Sequence, residues 1–306
     1  METPSQFAAG TTLMSPEDLQ QGIASLSRGA YFGEASLDMM LSILTESAAT
    51  ICGVERASIW ALTNDQRELR CLELFEHSTR QHSSGNTIDA IGHPLFFAAL
   101  QAGESLVVDD VYVHPLTAEF VSYYLPRHRI TAMLATPIHI RGELQGVLCL
   151  EQVGSRQPWA SAHQIFAQAV ANLVALALVE YEAGEAKRQA QVAREQLRAV
   201  INASHHALLL ADGHSGEILD VNRQVEALTG RSREELLGRH HGSLYSAEQQ
   251  KAVAGEVLRM LETRTSSRLA AEVQRSDGRK IPVSVTAKGT DLSDGRRLAL
   301  SVLRAA

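Results

Sequence analysis

Twelve histidines and three cysteines are the side chains of this 306-residue chain best suited to chemistry near neutral pH. Imidazole changes charge in that range and can serve as base, acid, hydrogen-bond partner or neutral metal ligand. A thiol acts as nucleophile or ligand only once ionised. Cys52, Cys71 and Cys149 match neither a zinc-site spacing nor Cys-x-x-Cys, so they read as free thiols of a reducing compartment and as small buried hydrophobes. The candidate histidines of the first half are His77, His82, His93, His114, His128 and His139, and in the second half the pairs His205-His206 and His240-His241 stand out. His93, next to Pro94, is placed to cap a helix N-terminus, and His240-His241, after the helix-ending Gly238, to meet a helix C-terminal dipole. No phosphate-binding GxxxxGK[S/T] loop, HExxH or GxSxG motif is present. No metal site and no catalytic set is expected, which points to a regulator rather than an enzyme.

Composition narrows the class further. The chain is 45% hydrophobic and 21% charged, with a formal net charge of −7. That is ordinary for two globular domains and lacks the basic excess of a nucleic-acid binder. The amino terminus has no positive segment followed by an apolar core. The longest apolar run, 165–181, is interrupted by Gln168, Asn172 and Glu180 and reads as a buried helix, not a membrane span. The expectation is a cytoplasmic protein without membrane or nucleic-acid partners.

Several elements would position these residues in the first half. Residues 1–30 are polar, with one short helix starting at Ser15. Leu37, Met40, Leu41, Leu44, Ala48 and Ile51 follow helical spacing between Ser36 and Gly53. Residues 56–63 and 67–75 read as paired strands, 76–91 as polar and irregular, 93–103 as a helix, 104–111 as a strand and 116–125 as a helix. Residues 130–153 form a hairpin about Arg141-Gly142-Glu143. It is apolar on both parities, with Leu134, Ile138, Leu148 and Leu150 on one face and Met133, Val147 and Cys149 on the other. Such strands need cover on both sides. Residues 159–180 are the closing helix.

The segment ITAMLATPIHIRGELQGVLCLEQVGSRQPWASAHQIFAQAVANLVALALVE resembles the carboxyl-terminal half of a GAF domain, and ESLVVDDV matches a strand of the same family. The resemblance covers roughly 31–180.

Beyond it, Leu176, Val179, Ala183, Ala186, Ala190, Ala193, Leu197, Val200 and Ser204 keep a 4-3 spacing. As a and d positions they form a coiled-coil seam, and Glu182 and Lys187 then make an attractive g–e′ pair in a parallel dimer. A homodimer through 176–204 is expected, over a single solvated linker helix.

In the second half, residues 207–222 read as strand, turn, strand, and 223–239 as two short helices broken by Gly230 and Gly238. Residues 246–264 read as a longer helix capped by Ser246. Three strands follow, joined by Ser276-Asp277-Gly278-Arg279 and Ser293-Asp294-Gly295-Arg296, which predict type I′ turns and an antiparallel meander. Asn222 is expected to cap the helix after the second strand. Asp212, Gly216, Ile218, Asn222, Gly230, Glu235-Leu236-Leu237-Gly238 and the Asp-Gly turns resemble a PAS domain over roughly 197–304. The chain reads Leu303-Arg304-Ala305-Ala306 where many PAS domains carry an Asp-Ile-Thr-like motif.

The two resemblances imply a ligand pocket in the GAF half, walled by Phe96, Phe97, Tyr112, Tyr123 and Met133. They place His128 near the axial ligand of haem-binding relatives; the competing and preferred reading makes Pro126-Arg127-His128-Arg129 a solvated basic loop. A bilin is disfavoured because 76–132 contains no cysteine, and a covalent flavin adduct because the PAS half has none. The cyclic-nucleotide pattern is missing, and Cys149 lies in the wrong context for a sulfoxide reductase.

The expected fold class is α+β. Two α/β sensor domains, each a central antiparallel sheet flanked by helices, are joined by a long helix. The bounds are 1–30 for the polar segment, 31–180 for GAF, 181–204 for the connector and 205–306 for PAS. The expected function is that of a tandem GAF–PAS sensory protein, resembling the input region of bacterial sensor histidine kinases and diguanylate cyclases. A ligand, redox state or partner would be relayed by a dimeric helix to an effector domain or protein partner, as in a two-component system. The alternative is a ligand-free scaffold for dimerisation and docking.

Overall fold

The computed structural model describes residues 11–28, 35–263 and 268–305. The first ten residues of the polar segment and residues 29–34, where the GAF reading begins, lie outside the described residues. The chain separates into two compact units, residues 1–186 and 187–306.

In the first unit, α1 (Pro16–Arg28) and α2 (Leu37–Cys52) precede the sheet. The Ser36 side chain accepts from Met39 N–H at the start of α2, and Gly53 closes it in the left-handed region at φ 72°. Leu19 and Leu26 of α1 are buried, so the polar amino-terminal segment contributes an apolar stripe to the core.

The sheet combines β1 (Arg56–Leu62), β2 (Glu68–Glu76), β3 (Gln81–Ser83), β4 (Thr87–Asp89), β5 (Leu106–Val108), β6 (Ile130–Ile140) and β7 (Glu143–Val153). The spatial order is β3-β2-β1-β7-β6-β5, with β4 also on β2. β3 and β4 fall in the stretch expected to be irregular. Their side chains are mostly exposed, so the backbone pairing with β2 leaves no alternating apolar pattern to read.

The β6–β7 hairpin is covered on both faces, as its two apolar parities require. Leu134, Ile138, Leu148 and Leu150 join a cluster with α2 and with Phe166, Val170 and Val174. Met133, Val147 and Cys149 join a second cluster with Trp60, Phe96 and Phe120. Gly146 is needed where β7 passes β1, because a Cβ there would lie 2.0 Å from the Trp60 carbonyl oxygen.

The insertion on the second face holds α3 (Pro94–Gln101), a 3-10 turn (Pro115–Phe120) and α4 (Tyr124–His128). The single helix expected over 116–125 is thus split. Tyr123 breaks it at φ −143°, and its hydroxyl pairs with His93.

α5 runs from Ser161 to Ala203. By length and composition it could cross a bilayer. Its residues Phe166, Ala167, Val170, Ala171 and Val174 instead pack against the sheet of the first unit.

The second unit is built on β8 (Ala207–Asp212), β9 (Ile218–Val221), β10 (Leu269–Gln274), β11 (Lys280–Asp291) and β12 (Arg297–Ala305), in the order β10-β11-β12-β8-β9 and antiparallel throughout. α6 (Arg223–Thr229), α7 (Arg233–Leu236), a 3-10 turn (His241–Leu244) and α8 (Gln250–Thr263) cover one face. Ser232 and Glu235 form a reciprocal capping box on α7.

Two local expectations are corrected. The hairpin turns are not type I′: only Gly278 and Gly295 take positive φ, both 83°, while Asp277 and Asp294 do not. Gly278 N–H bonds to Arg275 C=O, and Arg275 N–H to Arg279 C=O, which is a type I turn closed by a glycine bulge. The aspartates accept from Arg279 and Arg296 N–H and hold the turn without needing positive φ themselves. Likewise, the helix expected from 246 starts at Gln250. Ser246 meets Gln249 and Gln250 N–H through its carbonyl, while its buried hydroxyl has no partner among the described residues.

Candidate functional site

The apolar side of the first sheet encloses a cavity of about 20 Å³, room for a single water. Trp60, Phe96, Phe120, Tyr124 and Met133 fill the space around it. At its polar edge Glu151 and Arg56 are 2% and 3% exposed, and Arg56 Nε donates to Glu151 Oε2 at 2.8 Å. Arg56 also pairs with Glu76, and Tyr124 Oη donates to Glu151 Oε1 at 3.3 Å. Burial opposes the Arg56 charge, but Glu151 and then Tyr124 outweigh it and raise its pKa above the usual value. Burial, followed by the Glu151 charge, holds the Tyr124 phenol well above its ordinary range.

The expected pocket residues are distributed unevenly about this cavity. Phe96 and Met133 line it. Phe97 is buried in the same cluster without lining it. Tyr112 and Tyr123 are 40% and 49% exposed, and neither is among the cavity's lining residues. His128 is not in a basic loop: it ends α4 half-buried, its ring 4.9 Å from that of Tyr124, while Pro126, Arg127 and Arg129 are exposed. Burial, then the nearby Arg56 charge, lowers its pKa. A cavity of this size does not fit a porphyrin beside it.

Other histidines serve the fold. His93 stands at the N-cap of α3, and its carbonyl accepts Phe97 N–H, but its side chain makes no capping bond. Its ring stacks on Phe120 and bonds to Asp89 C=O and Tyr123 Oη, and the Glu119 carboxylate receives Leu95 and Phe96 N–H instead. His163 accepts Ala160 N–H through Nδ1, so Nε2 carries the proton toward Met14 C=O. Burial raises the thiols of Cys52 and Cys71 to about 12 and that of Cys149 well above 9, so all three stay protonated. Among the described residues no group of three or more His, Cys, Asp or Glu side chains could hold a metal ion.

A wide, polar surface cleft of about 530 Å³ lies at the β1–β2 turn, lined by Thr63, Arg67, Glu68 and Asp89, and a more enclosed cavity lies in the second unit. About 200 Å³ opens between the end of β8, α8 and β12, with His240 and His241 on one side. Sequence reasoning noted the histidine pair but assigned it to a helix terminus. The rings are in fact stacked at 4.7 Å, and His241 N–H bonds to Gly216 C=O across the β8–β9 turn. Gly216, at φ 71°, makes room for them: a Cβ there would lie 2.6 Å from His240 Nε2. His240 Nδ1 accepts Gly242 N–H, which leaves its proton on Nε2. Asp212 Oδ1 accepts His214 and Ser215 N–H, and these bonds lower its pKa.

His241 is 7% exposed, and burial, then His240, pushes its pKa down to about 4. The folded domain therefore resists protonating this ring while the unfolded chain takes up its proton near pH 6.5. Stability is full above pH 6.5 and is lost as pH falls toward 4. About 3 kcal/mol is expected to disappear over that window, at 1.36 kcal/mol per pKa unit. Urea unfolding of the second unit at pH 7.5, 6, 5 and 4.5 should show this slope, and His241→Phe should flatten it. An unchanged slope in His241→Phe would place the titration elsewhere.

The end of α5 is tied to the second sheet. Asn222, 1% exposed, donates through Nδ2 to Ile201 C=O at 3.1 Å and His206 C=O at 2.8 Å. Its Oδ1 accepts Leu208 N–H at 2.9 Å and Val225 N–H at 3.2 Å. In return Asn202 Oδ1 accepts Arg223 N–H at the start of α6. The capping role read from sequence is present, and the link to the helix is added to it.

Comparison with known proteins agrees with this architecture. Residues 36–178 match the family model of the GAF domain, and residues 195–304 that of the PAS fold. Among solved structures, the chain is similar to the PAS domain of an HTR-like protein from Haloarcula marismortui (20% identity, 40% of this chain and 99% of that one, TM-score 0.35). It is also similar to the GAF domain of a phosphoenolpyruvate-protein phosphotransferase from Coxiella burnetii (14% identity, 56% and 99% covered, TM-score 0.45). A third is the corresponding GAF domain from Acinetobacter (17% identity, 56% and 97% covered, TM-score 0.43). No curated protein matches the chain.

Proposed function

The chain carries a GAF domain followed by a PAS domain, and on that premise we propose that it detects a small molecule in the PAS cavity and relays occupancy through α5. Both domain types are sensory and non-catalytic, so the chain is a signal-sensing module. The observation that carries the proposal is the Asn222–Asn202 exchange: the strand and helix beside the PAS sheet hold the last turn of α5 by direct hydrogen bonds. A shift of β9 or α6 on ligand binding then acts on the helix end without an intermediary.

The relay works between two copies in this reading. Leu176, Leu197 and Val200 of the 4-3 seam are 44%, 61% and 71% exposed in the single chain. A parallel partner helix would cover them and would carry the change to a cytoplasmic output protein or effector domain, such as a kinase of a two-component system. The GAF domain favours the second reading for its own half. Its cavity of about 20 Å³ is filled by the chain's own side chains, which suits a scaffold for dimerisation and docking.

The test is a single cysteine at the seam. Leu197→Cys is expected to form an intermolecular disulfide between equivalent positions under mild oxidation, and light scattering should give a dimer for the unmodified chain. A monomer at all concentrations, with no cross-link, would overturn the dimeric relay.

A further inference from the structure

The PAS cavity contains polar side chains that the chain itself leaves unused. His241 and Ser301 line it and are 7% and 4% exposed. Neither the ring nitrogens of His241 nor the Ser301 hydroxyl has a hydrogen-bond partner among the described residues. Their backbone groups are engaged, His241 N–H with Gly216 and Ser301 within the β12 ladder. These polar atoms face the open cavity, and a ligand that displaces solvent from it must supply their hydrogen bonds in its place.

The remaining wall defines what else the ligand must be. Ala254, Val257, Leu261 and Ala299 present apolar surface between α8 and β12. About 200 Å³ compares with the roughly 150 Å³ apolar cavity that holds benzene, so one ring with a substituent fits. No lysine or arginine lines the cavity, and the Asp212 carboxylate stands at its edge. Arg297, beside the cavity, is engaged by Leu261 C=O and Asp291, so an anion would meet the Asp212 charge without a free cation in the lining. A neutral imidazole and a serine hydroxyl each donate one hydrogen bond and accept others, which suits a group that does both.

We propose that the PAS cavity binds an uncharged single-ring molecule carrying one hydroxyl group, its ring between α8 and β12 and its hydroxyl paired with His241 and Ser301. The proposal rests on the reading of this cavity as the sensing site.

Phenol is the probe, with toluene and benzoate as comparators of similar size, titrated into the full chain and followed by ligand-detected NMR. Phenol is expected to bind at least about tenfold more tightly than either, since a site with unpaired polar groups rejects the analogue that lacks the hydroxyl. His241→Phe and Ser301→Ala should each weaken phenol and leave toluene unchanged. Gly255→Leu adds a side chain on α8 where a Cβ meets nothing within 4 Å, so it should fold normally and reduce phenol binding by narrowing the opening. Equal binding of phenol and toluene, tighter binding of benzoate, or phenol affinity unaffected by both polar substitutions would overturn the proposal. Amide exchange at 197–203 in the same titration separates it from the relay. Phenol bound through His241 with no change there supports the ligand chemistry and overturns only the relay.

Discussion

Arg56→Met is expected to cost the GAF domain about 3–5 kcal/mol, because it leaves the Glu151 carboxylate buried without its counter-charge. Glu151 is 2% exposed, and its other partner is the Tyr124 hydroxyl at 3.3 Å, a single neutral donor. The attraction between Arg56 and Glu151 offsets a large desolvation cost only while both are present. The double variant Arg56→Met with Glu151→Leu should therefore recover most of the loss. Both tryptophans, Trp60 and Trp159, lie in this domain. Their fluorescence during urea unfolding reports its transition separately from that of the PAS domain. A loss below about 1 kcal/mol in the single variant, the range of exposed pairs, would mean that solvent reaches Glu151.

Asn222→Ala should remove about 3–4 kcal/mol from the PAS domain, at about 1 kcal/mol net for each hydrogen bond its amide makes. It should also speed amide exchange in the last turn of α5, since Ile201 C=O loses its side-chain donor. Asn222→Asp separates the two roles. It keeps an acceptor for Leu208 and Val225 N–H and loses the donor to Ile201 and His206 C=O. If the clamp transmits a signal, the aspartate variant should fold, with faster exchange at the helix end and no exchange response to an occupied cavity. Exchange identical to that of the unmodified chain would assign Asn222 to helix capping alone. The tryptophan-detected transition of the GAF domain should not move in either variant.

Much of the architecture could be read locally. Ser36 and Gly53 mark α2 because a side-chain acceptor and a left-handed glycine satisfy groups that the helix leaves free. The two-sided apolar pattern of 130–153 announced a strand pair buried on both faces. Ser232, followed by Glu234 and Glu235, has the pattern of an N-cap with acids in the first turn, and in the structure it closes with Glu235 as a capping box. Misreadings came where the outcome depended on a distant partner. β3 and β4 are strands only because β2 pairs with them, and their exposed side chains record nothing of it. The Asp-Gly turns differ from the expected type because the aspartate side chains bond forward to Arg279 and Arg296, which frees all but the glycine from positive φ.

The candidate site divides the same way. The sequence by itself determined the caps of α2 and α6, the longer elements and the two domain types, because caps and periodicity are relations among residues a few positions apart. It also supplied the His240-His241 pair as a feature without a use. Only the tertiary structure decided whether each sheet keeps room for a ligand against its helices. Phe96, Phe120 and Tyr124 of the GAF insertion pack the space that the resemblance had suggested would hold a ligand. Meanwhile β8, the histidine pair, α8 and β12, up to some ninety residues apart in the chain, leave about 200 Å³ between them. The size of a cavity is what remains after many side chains have packed, and no local pattern carries that remainder.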